Sequence, residues 1–334
     1  MQPTLSTAPD GTRFRDLNGN GVMDPYEDPR LTPEERTADL LARLSLEEKA
    51  GLMFQTVIEL GDDGDLLETP GAISKSPTST VILGKGMSHF NVHHIPTARA
   101  GARWSNNLQR LAEQTPHGIP VTISTDPRHA FVENTGVAFS AGPFSQWPEP
   151  MGLAALDDLE VIRTFADVAR QEYCAVGIRA ALHPQIDLPT EPRWGRQAQT
   201  FGYDAERVSQ ITAAYLEGFQ GDALGPESVA CTTKHFPGGG PQRDGEDAHF
   251  PYGREQDYPR GDPPRHGGDD AVLRHAGRPR ARRAADRRGR VRLQPADRHR
   301  PAAGGARLRR RRGHRLGARQ RQPRRRPGAP RPRV

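Results

Sequence analysis

Short apolar runs alternating with longer amphipathic stretches constrain this chain more than any other feature. Ile119 to Ser124 reads as a strand, and Asp157 to Cys174 as a helix with Val161, Phe165 and Val168 along one face. Ile178 to His183 reads as a strand, Asp204 to Phe219 as a helix, and Val229 to Phe236 as a strand ending in a glycine run. Such alternation implies parallel β/α units, arranged as a barrel or a doubly wound sheet. Asp126, His183, Asp187, Lys234 and His235 each fall at or just past the C-terminal end of a predicted strand, where barrel enzymes gather their active-site groups. The expected class is therefore α/β, a (β/α)8-type (TIM-like) barrel.

Upstream, Thr32-Pro33-Glu34-Glu35 reads as a capping box with proline at the first helical position, opening an amphipathic helix through Leu40, Leu41 and Leu44. Ser45 with Glu48 starts another. Composition sets the boundaries. Up to about Gln256 charge is mixed and aliphatic spacing regular, as in globular domains. Beyond Tyr258 there is no Lys or Glu, and runs such as Arg309 to Arg312 appear. The expected organisation is an N-terminal segment, 1–30, a barrel domain, 31–256, and a disordered Arg-rich tail, 257–334, too polar to pack.

The N-terminal segment carries its own signal. Asp16, Asn18, Asn20, Gly21, Val22, Asp24 and Glu27 occupy positions 1, 3, 5, 6, 7, 9 and 12 of the EF-hand calcium-loop pattern. No helix is predicted before the loop, and Pro25 within it is unusual. A Ca2+ ion held by Asp16, Asn18, Asn20, Val22, Asp24 and Glu27 would be structural; no cofactor is expected for catalysis.

Five stretches, in order, are Leu46-Glu47-Glu48-Lys49-Ala50-Gly51, Ser124-Thr125-Asp126, Glu191-Pro192-Arg193-Trp194-Gly195-Arg196, Lys234-His235-Phe236-Pro237-Gly238-Gly239-Gly240 and Asp244-Gly245-Glu246-Asp247. Together they resemble the N-terminal barrel of family three glycoside hydrolases of the β-glucosidase type, over roughly residues 10 to 256. The resemblance implies retaining hydrolysis of terminal β-D-glucosyl residues from a β-glucoside or oligosaccharide. It also implies that Asp126 grips hydroxyls at the far side of the terminal sugar while Arg193, Lys234 and His235 contact its other hydroxyls. The chemistry suits the task, because a carboxylate accepts from two hydroxyls at once and Lys or Arg donates charge-assisted hydrogen bonds. Blander roles exist: a turn cap for Asp126, an ion-pair partner for Arg193 or Arg196, core packing for Trp147 and Trp194.

A retaining glycosidase needs a nucleophile and an acid/base carboxyl. The family's nucleophile is an aspartate in a Thr-Asp-Trp or Ser-Asp-Trp motif, and this sequence has neither. No catalytic residue is assigned, and Glu246 and Asp247 read as solvated-loop carboxylates. The tail nevertheless conceals family-like sequence one nucleotide out of register. Leu308 to Gly317, given suitable codons and read from the second nucleotide, yields Phe-Asp-Gly-Val-Val-Gly-Thr-Asp-Trp. Asp270 to Arg278 and Gly289 to Arg300 yield family-like runs with the same shift. A frame change near Gln256 to Gly261 is therefore expected, leaving the barrel unclosed, its apolar interior partly exposed, and hydrolysis impaired.

Alternatives remain open. A β-N-acetylhexosaminidase shares the Lys-His-Phe-Pro-Gly core, but that branch places a His where Gly239 stands. A non-catalytic sugar-binding protein, or one associating non-specifically with nucleic acid through its arginines, would also fit. Cys174 and Cys231 are too few for a disulfide framework. The first thirty residues show no signal-peptide pattern and no apolar run approaches the roughly 18 residues of a membrane span, so a cytoplasmic location and no membrane partner are expected.

Overall fold

The computed structural model describes residues 5–130, 139–235 and 242–247. The glycine run after His235 and the Arg-rich tail lie outside the described residues, as does the whole of a second compact unit, Arg280–Val334. The chain starts with an antiparallel hairpin, β1 (Leu5–Thr7) and β2 (Arg13–Arg15), which buries Phe14. Helices α1 (Pro33–Arg43) and α2 (Leu46–Leu52) begin at the predicted capping boxes: Thr32 accepts from Glu35 N and Ser45 from Glu48 N, while each glutamate reaches back to the cap's own N–H. The first helix is less embedded than its pattern implies, since Leu41 is exposed and only Leu44, at its end, is buried.

Five strands come next in one parallel sheet: β3 (Gln55–Val57), β4 (His89–Asn91), β5 (Thr122–Thr125), β6 (Ile178–Ala181) and β7 (Ala230–Cys231). Their spatial order is their chain order. A doubly wound sheet reverses at a switch point, whereas a barrel adds each strand beside the last. The described sheet is thus the arc of a barrel, and β3 and β7 are its edges among the described residues.

Helices cover one face of the arc. α3 (Ala98–Ala112) connects β4 to β5, α4 (Pro150–Ala155) and α5 (Leu159–Ala175) precede β6, and α6 (Ala205–Gln220) precedes β7. Phe90, Ile123, Ile178 and Ala181 point into this layer against Trp104 and Leu108 of α3, Phe165 and Tyr173 of α5, and Ile211 and Phe219 of α6. On α5 the buried stripe is Ile162, Phe165, Ala166, Ala169 and Tyr173; the expected Val161 and Val168 are only half-buried. Helix α6 comes so close to α5 that a methyl group on Gly218 would stand 2.4 Å from Ala166 Cβ. The strands are shorter than the runs that announce them: four residues in β5 and β6 and two in β7.

Pleating sends alternate residues to the opposite face. There, Gln55 pairs with His89, His89 with Thr122, and Asn91 with Ser124. Gln55 and His89 are exposed. The face away from the helices is thus polar along these three strands. Met53 and Phe54, leading into β3, are among the exposed large apolar residues.

Candidate sugar-binding site

Asp126 directly follows β5 and is 7% exposed. Two donors hold it: Lys234 Nζ at 2.7 Å from Oδ1, and Asn91 Nδ2, from the end of β4, at 3.1 Å from Oδ2. The turn carrying Asp126 is anchored by Arg128. Its guanidinium donates to Thr125 Oγ1 and to the carbonyls of Val92 and His93, and lies over the rings of Phe139 and Phe144. Burial lowers the Arg128 pKa, but the three oxygens and two ring faces keep a cation compatible with the site.

Beyond β6 the chain continues as a narrow bridge. Ile186 N donates to Lys234 O at 2.8 Å and Lys234 N to Pro184 O at 3.0 Å, so the segment carrying Lys234 pairs with the one carrying Asp187. The peptide bonds before Pro184 and His235 are both cis. Asp187 is fully buried and meets His235 Nδ1 at 2.7 Å. His183, although at a strand end, belongs to the helix layer: it lies between the hydroxyls of Tyr173 at 3.2 Å and Tyr215 at 2.5 Å. Burial holds its pKa well below the ordinary value and raises those of both tyrosines, so all three are neutral.

Arg193 stands apart from these pairs. Its guanidinium is gripped by Glu191 through Nε at 2.8 Å and Nη2 at 2.7 Å, and by Asp244 at 3.0 Å, and its side chain is 61% exposed. Trp194 is buried and donates Nε1 to Asp247 at 3.1 Å, so it packs rather than offering a sugar platform. Trp147 packs edge-on against Phe165. Arg196, expected in an ion pair, is buried and donates to Gln185 Oε1 at 2.8 Å. The structure therefore joins Asp126 to Lys234 and Asp187 to His235, and places Arg193 in a solvent-facing carboxylate fork. Sequence reasoning missed Asn91 and Arg128; Asn91, His93 and His94, polar residues just where a strand ends, were the available signal.

In the N-terminal loop, Asp16 accepts from the N–H groups of Asn20 and Gly21, while the side-chain amides of Asn18 and Asn20 both donate to Asp24 Oδ2. Arg43 pairs with Asp24 Oδ1, and Glu27 accepts from the main chain of Leu17 and Asp24. The side-chain oxygens thus face donors of the loop itself and, at Asp24, Arg43 of α1. Among the described residues, no group of three or more His, Cys, Asp or Glu is disposed to hold a metal ion, and no helix is long and apolar enough to cross a membrane.

Chemically, the strand ends offer a desolvated carboxylate fixed by a cation and an amide, next to an imidazole oriented by a buried aspartate. This suits gripping a polyol. The chain is 52% identical over 257 residues to the probable beta-glucosidase C of Aspergillus oryzae, covering 76% of this chain and 40% of that protein. It is 43% identical over 247 residues to the periplasmic beta-glucosidase/beta-xylosidase of Dickeya chrysanthemi, covering 73% and 38%. It therefore spans about two fifths of the length of these relatives. A solved β-glucosidase from Erythrobacter marinus shares the fold, with TM-score 0.53 at 24% identity over 67% of this chain and 28% of that one. Residues 46–257 match the glycosyl hydrolase family 3 N terminal domain. With its strands in barrel order, its charged pairs at their C-terminal ends and this match over most of the described residues, the chain belongs to glycosyl hydrolase family 3.

Proposed function

We propose that this chain binds the terminal sugar of a β-glucoside, as the substrate-gripping part of a retaining β-glucosidase. The observation that carries the reading is the Asp126 carboxylate, held by Lys234 at 2.7 Å and Asn91 at 3.1 Å. Each of its oxygens spends one acceptor position on the protein and keeps another for a sugar hydroxyl. Lys234 retains N–H donors for a hydroxyl, and His235, with Nδ1 on Asp187, turns its other nitrogen to the ligand. Arg193 joins them by exchanging Asp244 for the sugar. The names of the relatives, a probable beta-glucosidase and a periplasmic beta-glucosidase/beta-xylosidase, support the choice of glucoside.

Hydrolysis needs a nucleophile and an acid/base carboxyl as well. Asp126, Asp187 and Asp247 are engaged by Lys234, His235 and Trp194, and act in this reading as holders. The nucleophile is carried by the shifted frame of Leu308 to Gly317, so these 334 residues hydrolyse β-glucosides poorly or not at all. Support comes from the family match, which ends at residue 257, beside the change in composition.

The test is a D-glucose titration of the full chain, followed by protein NMR, with Asp126→Ala and Lys234→Ala alongside. Saturable binding abolished by either substitution is expected; binding that both variants retain would overturn the assignment. Moving the frame by one nucleotide near the codon for Gly261 should create p-nitrophenyl β-D-glucoside hydrolysis. Strong hydrolysis by the unshifted chain would refute the missing nucleophile.

A further inference from the structure

Below Asp126 a line of hydrogen bonds crosses three strands on the face of the sheet away from the helices. Asn91 donates Nδ2 to Asp126 Oδ2 at 3.1 Å, Ser124 Oγ lies 3.3 Å from Asn91 Oδ1, and Gln55 Nε2 donates to Ser124 Oγ at 2.6 Å. Ser124 Oγ also lies 3.1 Å from Phe90 O. The order fixes which way the Asn91 amide points. Its oxygen meets a hydroxyl donor and its nitrogen meets a carboxylate; the reverse orientation would put two acceptors together at Asp126.

Asn91 and Ser124 are both buried, 8% and 1% exposed, so neither is oriented by bulk water. Lys234 alone would leave Asp126 free to swing about its terminal torsion, which is broad for aspartate. A second donor on the other oxygen fixes the carboxylate plane.

Resting on the proposed sugar binding, we propose that Asn91, oriented by Ser124 and Gln55, is the positioning residue that sets the Asp126 carboxylate for two sugar hydroxyls. Asn91 touches no substrate itself. It decides which of the Asp126 lone pairs remain for hydroxyls.

Three variants of the full chain test this: Asn91→Leu, Asn91→Asp and Ser124→Ala, each first shown by far-UV circular dichroism and thermal unfolding to be folded. The binding probe is D-glucose. Asn91→Leu should weaken it about tenfold at every pH, and Ser124→Ala less. Asn91→Asp should behave differently. At acid pH the new carboxyl keeps a proton and donates to Asp126 as the amide did, so affinity approaches that of the wild type. As pH rises, two carboxylates about 3 Å apart repel and the ratio of variant to wild-type affinity falls. A purely structural role would not produce that pH-dependent ratio. Affinities within twofold of wild type for Asn91→Leu, with a flat ratio for Asn91→Asp, would overturn the proposal.

A ligand-free readout separates this from the functional reading. The Asp126 side-chain carboxyl carbon, followed by NMR without sugar, should change its chemical shift in Asn91→Leu relative to wild type, through loss of the donor that fixes the carboxylate plane. If the wild type fails to bind D-glucose while that shift occurs, the function falls and the positioning role stands. If the resonance does not change, the positioning role falls.

Discussion

Gly245 lies against the main chain of Arg193: a methyl group on its α-carbon would stand 2.6 Å from the Arg193 carbonyl carbon. Its φ of +83° is in the left-handed region as well, so alanine there is disfavoured twice. Gly245→Ala should lift segment 242–247 off its seat, loosening Arg193–Asp244 and Trp194–Asp247 at a cost of about 1–3 kcal/mol. Urea unfolding gives the cost, and intrinsic fluorescence reports release of buried Trp194. A variant matching wild type in both would show that the contact is not tight.

Stability should fall on mild acidification. Burial depresses His183 far below 6.5 and His129 below it too, the latter despite its hydrogen bond with Glu172 at 2.9 Å. A histidine whose folded pKa lies below its unfolded one contributes stability that is complete above the unfolded value and is lost as pH falls through and below it. The slope is about 1.4 kcal/mol per pH unit for each histidine that sheds a proton on folding. Urea midpoints at pH 7.5 and 5.5 measure it. His183→Gln keeps hydrogen-bonding capacity and has no proton to lose, so its slope should be visibly shallower; an unchanged slope would remove His183 from the account.

Gly218 is the closest approach of α6 to α5, with Ala166 Cβ at 2.4 Å and Arg163 O at 2.7 Å from an added methyl. Helix propensity alone would make Gly218→Ala stabilising by about 1 kcal/mol. Overpacking wins here, because two covalently fixed neighbours must move, and a net loss of about 1–3 kcal/mol is expected in thermal or urea unfolding. A stabilised variant would mean the helices separate at little cost.

Calcium at the N-terminal loop requires Asn18 and Asn20 to turn their oxygens inward and Arg43 to release Asp24. If the ion binds, excess Ca2+ stabilises by RT ln(1 + [L]/Kd), about 2.7 kcal/mol at a hundredfold over Kd, read as a rise in unfolding temperature over EGTA. Asp16→Ala should abolish that rise. No rise in the wild type would leave the loop as a turn closed by its own hydrogen bonds.

What can be read from the sequence divides by physical range. Thr32 with Glu35 and Ser45 with Glu48 announce their helices because capping is complete within four residues. Asp126, Asp187, Lys234 and His235 can be placed at strand ends because parallel β/α units send polar groups to one rim. Arg193's position is not legible: Glu191 is two residues away, but Asp244 arrives through a fold contact that no local pattern encodes. β4 escapes a sequence reading since it is only three residues long, His89 to Asn91, and two of the three are polar. α3 does carry a readable stripe, Ala100, Trp104, Leu108 and Leu111, which four polar residues in its middle obscure.

Because β3 to β7 stand side by side in the order in which they are made, every strand after the first finds its partner already synthesised. Folding can therefore keep pace with the ribosome, each β/α unit docking on the one before, with little waiting for distant sequence. The sheet's neighbour-by-neighbour order thus makes assembly sequential, each unit resting on contacts already formed by the one before it.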